Sequence, residues 1–251
     1  MKSTSLFRPS SSQRWMECHG STFFEVDDPP ANKYAIQGTA AHAVLEECIK
    51  RGIEPSEMLH KSIPVVCDST QVTTHYKVTE EMVENLEFTL NNVVDEVDKY
   101  INMDYDLESE VRLDHPVIKD FGGTVDVLLT SGEFATIMDL KYGTSPVKPN
   151  STQMASYAML LKRVRPVVKY VKTVIIQPRC RLKTKVSSYN WRECELDDFE
   201  HNVKYAMRKA KEVTLVNLDD NLKTGKHCWY CPARTVCPAK ALESANKDFG
   251  N

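Results

Sequence analysis

Three cysteines near the C-terminal end, Cys228, Cys231 and Cys237 in the run CWYCPARTVCP, constrain this chain more than any other feature. Thiolates spaced by two and then five residues can converge on one metal centre, and a proline directly after the last one suits an iron–sulfur cluster. Structural zinc is the alternative. Either centre needs a fourth ligand from elsewhere, so the chain must fold back on this run.

The remaining cysteines, Cys18, Cys48, Cys67, Cys180 and Cys194, are scattered. That usage fits a reducing cytoplasm and a metal site better than a secreted disulfide framework. No apolar run reaches membrane-spanning length, and the start, MKSTSLFRPSSSQRW, lacks the apolar stretch of a secretion signal. A cytoplasmic location is therefore expected. With 41% hydrophobic and 27% charged residues, the 251-residue chain can build one good core and a small appendage. The net charge of −3 hides an uneven distribution. Lys162, Arg163, Arg165, Lys169, Lys172, Arg179, Arg181, Lys183 and Lys185 fall in a stretch without one acidic residue. Such a stretch reads either as a phosphate-tracking surface or as the solvated face of a helix–strand pair.

Hydrophobic spacing sets out the elements. Residues 1–35 are Ser- and Pro-rich and read as an irregular arm. Ala41, Val44, Leu45, Cys48 and Ile49 have helical spacing that ends at Gly52. Residues 53–75 suggest a loop or short strands. Met82, Leu86, Leu90, Val93, Val94, Val97 and Ile101 form one stripe of a helix over 79–101. Strands are expected over 108–114, 122–130 and 134–141, with Ser131–Gly132 as a hairpin turn. Next come a helix through Leu161, a buried strand over 167–177, an edge strand over 184–193 and a helix over 197–215, and the last eight or so residues are expected to fray. The order predicts an α/β fold with a mixed sheet.

Two of these strands carry acids where apolar residues belong. Asp139 and Lys141 share a face in a period-2 strand, and Asp126 is expected opposite the face of Val125 and Val127. Antiparallel pairing can bring Asp126 and Asp139 together. Two close carboxylates repel unless a cation separates them, and an oxygen-liganded Mg²⁺ or Mn²⁺ suits the position. Lys141 could orient water or stabilise charge developing on a phosphate. An exposed Asp–Lys ion pair is the bland alternative. His42 lies early in the first helix with Glu46 on its face, and can serve as a nitrogen ligand or simply be structural. Gln153 and Tyr157, four residues apart, line one face of the later helix, either to position substrate or as a half-buried pair.

In this order, QGTAAH, GGTVD, DLK and QMASY resemble the core of the PD-(D/E)xK nuclease superfamily, in its RecB-like branch. SSSQRWMECHGS with QGTAAH also resembles a phage- and prophage-associated family of RecB-type nucleases. CWYCPARTVC with an upstream cysteine is similar to the iron–sulfur cap of Cas4 exonucleases and of the AddB nuclease domain. The resemblance spans residues 10–240. It implies a restriction-endonuclease-like core, a mixed central sheet flanked by helices, with a C-terminal cysteine-rich cap. The expected division is an arm over 1–35 that contributes a cluster cysteine, a nuclease core over 36–215 with a helical insertion at 53–105, and a cap and tail over 216–251.

Carried over, the resemblance makes His42, Asp126, Asp139 and the Leu140 carbonyl the metal ligands. It makes Lys141 the catalytic lysine, and Gln153 with Tyr157 the helix motif that assists substrate binding. Glu110 matches a position that is often acidic. Cys18 would join Cys228, Cys231 and Cys237 around a [4Fe–4S] cluster, with His19, Cys48 and His227 competing for the fourth place. The Pro-Asp of the superfamily name stands here as Val125-Asp126.

The implied activity is Mg²⁺- or Mn²⁺-dependent hydrolysis at DNA ends, in recombination, repair or phage genome processing. The implied partner is DNA, single-stranded or duplex with ends, besides a second copy of the chain or recombination and replication proteins, and no membrane. A structure-selective endonuclease, a non-catalytic nucleic-acid-binding protein and a zinc-stapled protein with no nuclease role are the competing readings.

Overall fold

The computed structural model describes residues 6–24, 32–67 and 71–248. The expected arm at 1–5 and 25–31, and the tail at 249–251, lie outside the described residues. In chain order the elements are α1 (Ser12–Glu17), α2 (Lys33–Arg51), β1 (Ser62–Val66), β2 (Thr73–Lys77), α3 (Glu80–Val97), β3 (Asp106–Asp114), β4 (Gly122–Ser131) and β5 (Phe134–Leu140). They continue with α4 (Thr152–Val164), β6 (Tyr170–Ile176), β7 (Val186–Trp191), α5 (Glu193–Lys211), α6 (Leu218–Asn221) and α7 (Pro238–Asp248), linked in places by short 3-10 turns. Strands β3-β4-β5-β6-β7 form one mixed sheet in that order; only β5 and β6 run parallel, joined through α4.

Helices cover both faces of the sheet. On one face α4, α5 and α1 pack over Val125, Leu128, Ile137 and Ile175; on the other α2, α3 and the β1–β2 hairpin cover Val127, Leu129, Met138 and Val174. Local signals explain the helix ends. Asn32 caps α2 by accepting from the amides of Tyr34 and Ala35, and Gly52 closes it at φ 61°. Thr79 and Ser151 cap α3 and α4 in the same way. The β4–β5 turn comes one residue later than expected. Ser131 pairs with Phe134, leaving Gly132 (φ 55°) and Glu133 as the two-residue loop.

Several expectations need correction. The described part of the arm is not loose: Phe7 and Trp15 are fully buried, Trp15 packs edge-on against Phe7 and Phe121, and Phe7 bridges to Phe121 in parallel. Two aromatic anchors bury enough apolar area to order a Ser-rich segment. The insertion at 53–105 is α-helical only in its second half, its first half forming the β1–β2 hairpin where a loop or short strands were expected. In the α3 stripe, Val94 is exposed, and so is Ile101 beyond the helix end. Helix α7 persists to Asp248, where fraying was expected.

Candidate active site

The site forms where the β3–β4 ladder is interrupted and the β4–β5 ladder ends. The β3–β4 ladder pairs Ser109 with Val127 and Val111 with Val125, but skips the intervening Glu110 and Asp126. Glu110 has φ 53°, a left-handed conformation that costs a non-glycine residue about 1–3 kcal/mol and concentrates at functional positions. Beyond this point the two strands change sides. Val125 and Leu113 pack in the core under α4 and α5, whereas Val127 and Leu107 pack in the core under α2 and α3. Strict alternation, which put Val125 and Val127 on one face, therefore fails at Asp126.

The β4–β5 ladder also ends just short of the site, at Val127–Met138. One register step further would place Asp126 opposite Asp139. Instead the strands separate, and the Leu140 amide donates to Asp126 Oδ2 at 2.8 Å. Leu140 thus holds Asp126 through its amide; its carbonyl is the atom the resemblance assigned to metal.

His42 reaches the same carboxylate from α2, with Nδ1 3.3 Å from Asp126 Oδ2. His42, Glu110 and Asp126 can each offer a ligand atom such that all three lie within 4.8 Å of one another. That is the sole such group of His, Cys, Asp and Glu among the described residues. Glu110 thus stands where Asp139 was expected. Its signal in the sequence was an acid in a strand directly across from Asp126.

Asp139 lies beside this group, facing α4. Its side chain is 3% exposed, and Lys141 Nζ approaches its two oxygens to 3.1 and 2.8 Å. Apart from that ammonium, the buried Oδ2 has no hydrogen-bond partner. Gln153 accepts from Lys141 Nζ at 3.0 Å and donates to Asp139 Oδ1 at 3.3 Å, and its amide lies 3.4 Å from the Tyr157 hydroxyl. Glu46 is not part of the site: its carboxylate binds Lys50 one turn along α2.

These charges shape one another. Burial alone would lower the His42 pKa, but the Asp126 carboxylate outweighs it and raises it to about 8. Burial favours the neutral form of Asp126 too, yet His42 and Lys141 hold its pKa below the ordinary value. For Asp139 burial wins, and the neighbouring Asp126 adds to it, so its pKa rises despite Lys141. Lys141 is raised, burial being outweighed by Asp139 and Asp126. Tyr157 is pushed up chiefly by burial. The repulsion that Asp126 exerts on Asp139 is what a bound cation would relieve.

The donor set of one imidazole nitrogen and carboxylate oxygens fits a hard divalent ion of the Mg²⁺ or Mn²⁺ kind.

The cysteines gather at the opposite end of the chain. Cys18, Cys228, Cys231 and Cys237 line one small cavity with Leu222, Ala233 and His227. No three of these sulfurs lie within 4.8 Å of one another, so they are not drawn up as a tight ligand set. The Lys223 amide donates to Cys18 Sγ and the Gly225 amide to Cys228 Sγ, both at 3.4 Å. The rival fourth ligands fall away. His227 has both ring nitrogens engaged, by Glu17 at 2.9 Å and the Lys223 carbonyl at 2.8 Å. Cys48 is buried in the α2–α3 core, and His19 lines a separate cleft.

The basic stretch does not present itself as a phosphate track. Six of its nine cations are paired: Lys162 with Glu193, Arg163 with Asp197 and Glu200, Arg165 with Glu108, Lys169 with Glu133, Lys172 with Glu96, and Arg179 with Glu81. The acids come from α3, α5, β3 and the β4–β5 turn, which are distant in sequence and adjacent in the fold.

A profile of the family described as protein of unknown function (DUF2800) matches residues 5–250. The chain belongs to the DUF2800 family. Among solved structures, the alkaline exonuclease LHK-Exo of Laribacter hongkongensis matches 53% of this chain and 69% of its own at 12% identity, with a TM-score of 0.32. LHK-Exo in complex with dAMP matches 57% and 73% at 15% identity and TM-score 0.32, and SSO0001 matches 61% and 68% at 15% and 0.33. Likenesses this slight leave the chemistry of this DUF2800 chain to be read from its own residues. Among the described residues, no helix is long and apolar enough to cross a membrane.

Proposed function

We propose that this chain is a divalent-metal-dependent nuclease with a restriction-endonuclease-like core of the PD-(D/E)xK type, RecB-like and Cas4-like, hydrolysing phosphodiester bonds at DNA ends. One observation carries the reading: His42, Glu110 and Asp126 converge within 4.8 Å beside an Asp139–Lys141–Gln153 network. His42, Glu110 and Asp126, with a carboxylate oxygen of the neighbouring Asp139, would hold the ion. A divalent cation there supplies Lewis-acid polarisation of a phosphoryl oxygen and acidifies water. Lys141, held by Asp139 and Gln153, places an ammonium where negative charge develops on the phosphate. Tyr157 braces Gln153 from the next turn of α4, and the partly exposed His42 and Lys141 leave the corner open to a strand.

The cap cysteines, by the same reading, ligate a [4Fe–4S] cluster. Structural zinc, which takes the same thiolates, is the alternative. Amide donors to sulfur are among the contacts that tune iron–sulfur centres. The role of the cluster is structural, since ligation energy becomes folding energy.

The test is an end-labelled DNA in linear and covalently closed circular forms, incubated with Mg²⁺ or Mn²⁺. Release of nucleotides from linear DNA with closed circles intact is expected. Cutting of closed circles would replace the exonuclease by an endonuclease. DNA binding without hydrolysis under either metal would reject catalysis altogether.

A further inference from the structure

With most of the 161–185 cations already neutralised, a nuclease of this build needs another surface for its substrate. The cap offers one. From Leu222 to Leu242 the chain carries Lys223, Lys226, Arg234 and Lys240 and no acidic residue. Lys223, Lys226 and Arg234 have no carboxylate partner among the described residues; Lys240 is joined to Glu243. Among these charges stand the exposed rings of Trp229 and Tyr230, 70% and 89% exposed, on the 3-10 turn Lys226–Tyr230.

These rings do not shield the cysteine cavity, since neither is part of its lining. Trp229 instead borders a cleft of about 260 Å³ on the outside of the cap, together with Lys226, Arg234, Lys240 and Glu243. The Arg234 guanidinium lies 5.0 Å from the Trp229 ring centroid. That cation–π contact orients the indole, while its exposure leaves ring surface open to solvent.

We propose that the cap binds single-stranded nucleic acid, with bases stacking on Trp229 and Tyr230 and phosphates gripped by Lys226 and Arg234. Aromatic rings among unpaired cations are the chemistry of such binding, whereas a duplex hides its base faces within the stack. Cleavage of the bound strand rests on the nuclease reading, whose substrate class the platform then narrows to single strands. Helix α1 joins the two places. Ser12 at its start bonds Thr152, next to Gln153, and Glu17 at its end bonds His227, in the turn that carries the rings. Six residues of helix rise only about 9 Å, so a strand leaving the platform has a short path to the catalytic corner.

The experiment uses the full chain without added divalent ion and a fluorescein-labelled oligothymidylate of about twelve nucleotides. Binding is followed by anisotropy and by quenching of tryptophan emission. Trp15 is buried and Trp191 packs against the core, so quenching reports Trp229. W229A/Y230A is expected to weaken binding at least tenfold, with W229F/Y230F retaining most of it. K226A/R234A should flatten the dependence of log affinity on log salt by about 0.7 for each lost phosphate contact. Blunt duplex should bind more weakly and ignore the ring changes.

Unchanged affinity in W229A/Y230A would overturn the proposal, as would an equal loss on duplex. So would a shift of the chain from dimer to monomer with DNA affinity intact, which would make the rings a self-association surface. A chain that binds through the rings yet cuts nothing keeps the platform and rejects the nuclease. A chain that cuts but ignores the ring changes does the reverse.

Discussion

The catalytic corner and the cysteine cap both join residues far apart in sequence, but by different means. The corner is positioned by a β-ladder that stops on either side of it. Pairing up to Val127–Met138 and across Ser109–Val127 aims Glu110, Asp126 and Asp139 inward before any ion arrives. The cap has no ladder. It is made of 3-10 turns and short helices, held to the end of α1 by the Glu17–His227 contact and by the hydrogen bond from the Lys223 amide to Cys18 Sγ. A site built on a sheet keeps its shape without an ion, whereas a cap built on turns would draw its order from the proposed ligation.

The largest contrast is expected from the cap. If the proposed cluster is ligated there, Cys231→Ser should release it and expose 216–248 to proteolysis, since a structural metal contributes on the order of 10 kcal/mol to such folds. Limited proteolysis with mass spectrometry of the fragments reads this out. A cap that resists cleavage as well as the wild type would show that turns alone hold it. In the corner the losses should be chemical as well as structural. Lys141→Ala should slow hydrolysis by the folded protein about 10²–10³-fold with little change in DNA affinity. It also leaves the buried Asp139 without its cation and so lowers the melting temperature; a purely architectural lysine would do that alone and leave the rate of the folded fraction unaltered. Gln153→Ala, which frees Lys141 and Asp139 from one restraint, should cost about 10–100-fold, and Gln153→Glu should not restore full activity because it loses the donor to Asp139.

The smallest effect concerns neither site and tests how the basic segment is spent. Glu96 receives Lys172 Nζ at 2.9 Å on both oxygens and Lys99 at 2.6 Å. Burial would raise its pKa, but the two lysines hold it below the ordinary 4.5. Its stabilisation is therefore present above pH 4.5 and lost as pH falls through the lower folded-state value. Glu96→Gln should cost about 1–2 kcal/mol near neutrality and progressively less in acid. Urea titrations at several pH values measure it, and a cost that grew on acidification would refute the pairing.

The parts legible in the sequence are those governed by local pattern. Hydrophobic period and caps gave α2, α3 and the five strands to within a few residues, and the order of GTAAH, GGTVD, DLK and QMASY anticipated that His42, Asp126, Asp139, Lys141 and Gln153 would meet. What escaped was set by tertiary context. A left-handed Glu110 carries no sequence mark, and without it alternation puts Val125 and Val127 on one face. Trp15 and Phe7 look like strays in a Ser-rich arm until Phe121 is folded beside them. The basic stretch looked free because its acids, such as Glu96 for Lys172, are many residues away. Cys18 was singled out by resemblance alone, and its neighbours at Asn221 and Lys223 become visible only when the ends meet.

The most direct trial of the central claim is single-turnover cleavage of end-labelled linear DNA with saturating Mn²⁺, comparing the wild type with Asp126→Ala. Loss of hydrolysis by roughly a thousandfold or more, with the melting temperature and oligonucleotide affinity kept, is the result expected of a metal-binding corner. Hydrolysis at the wild-type rate in the variant would contradict it and place the chemistry elsewhere in the chain.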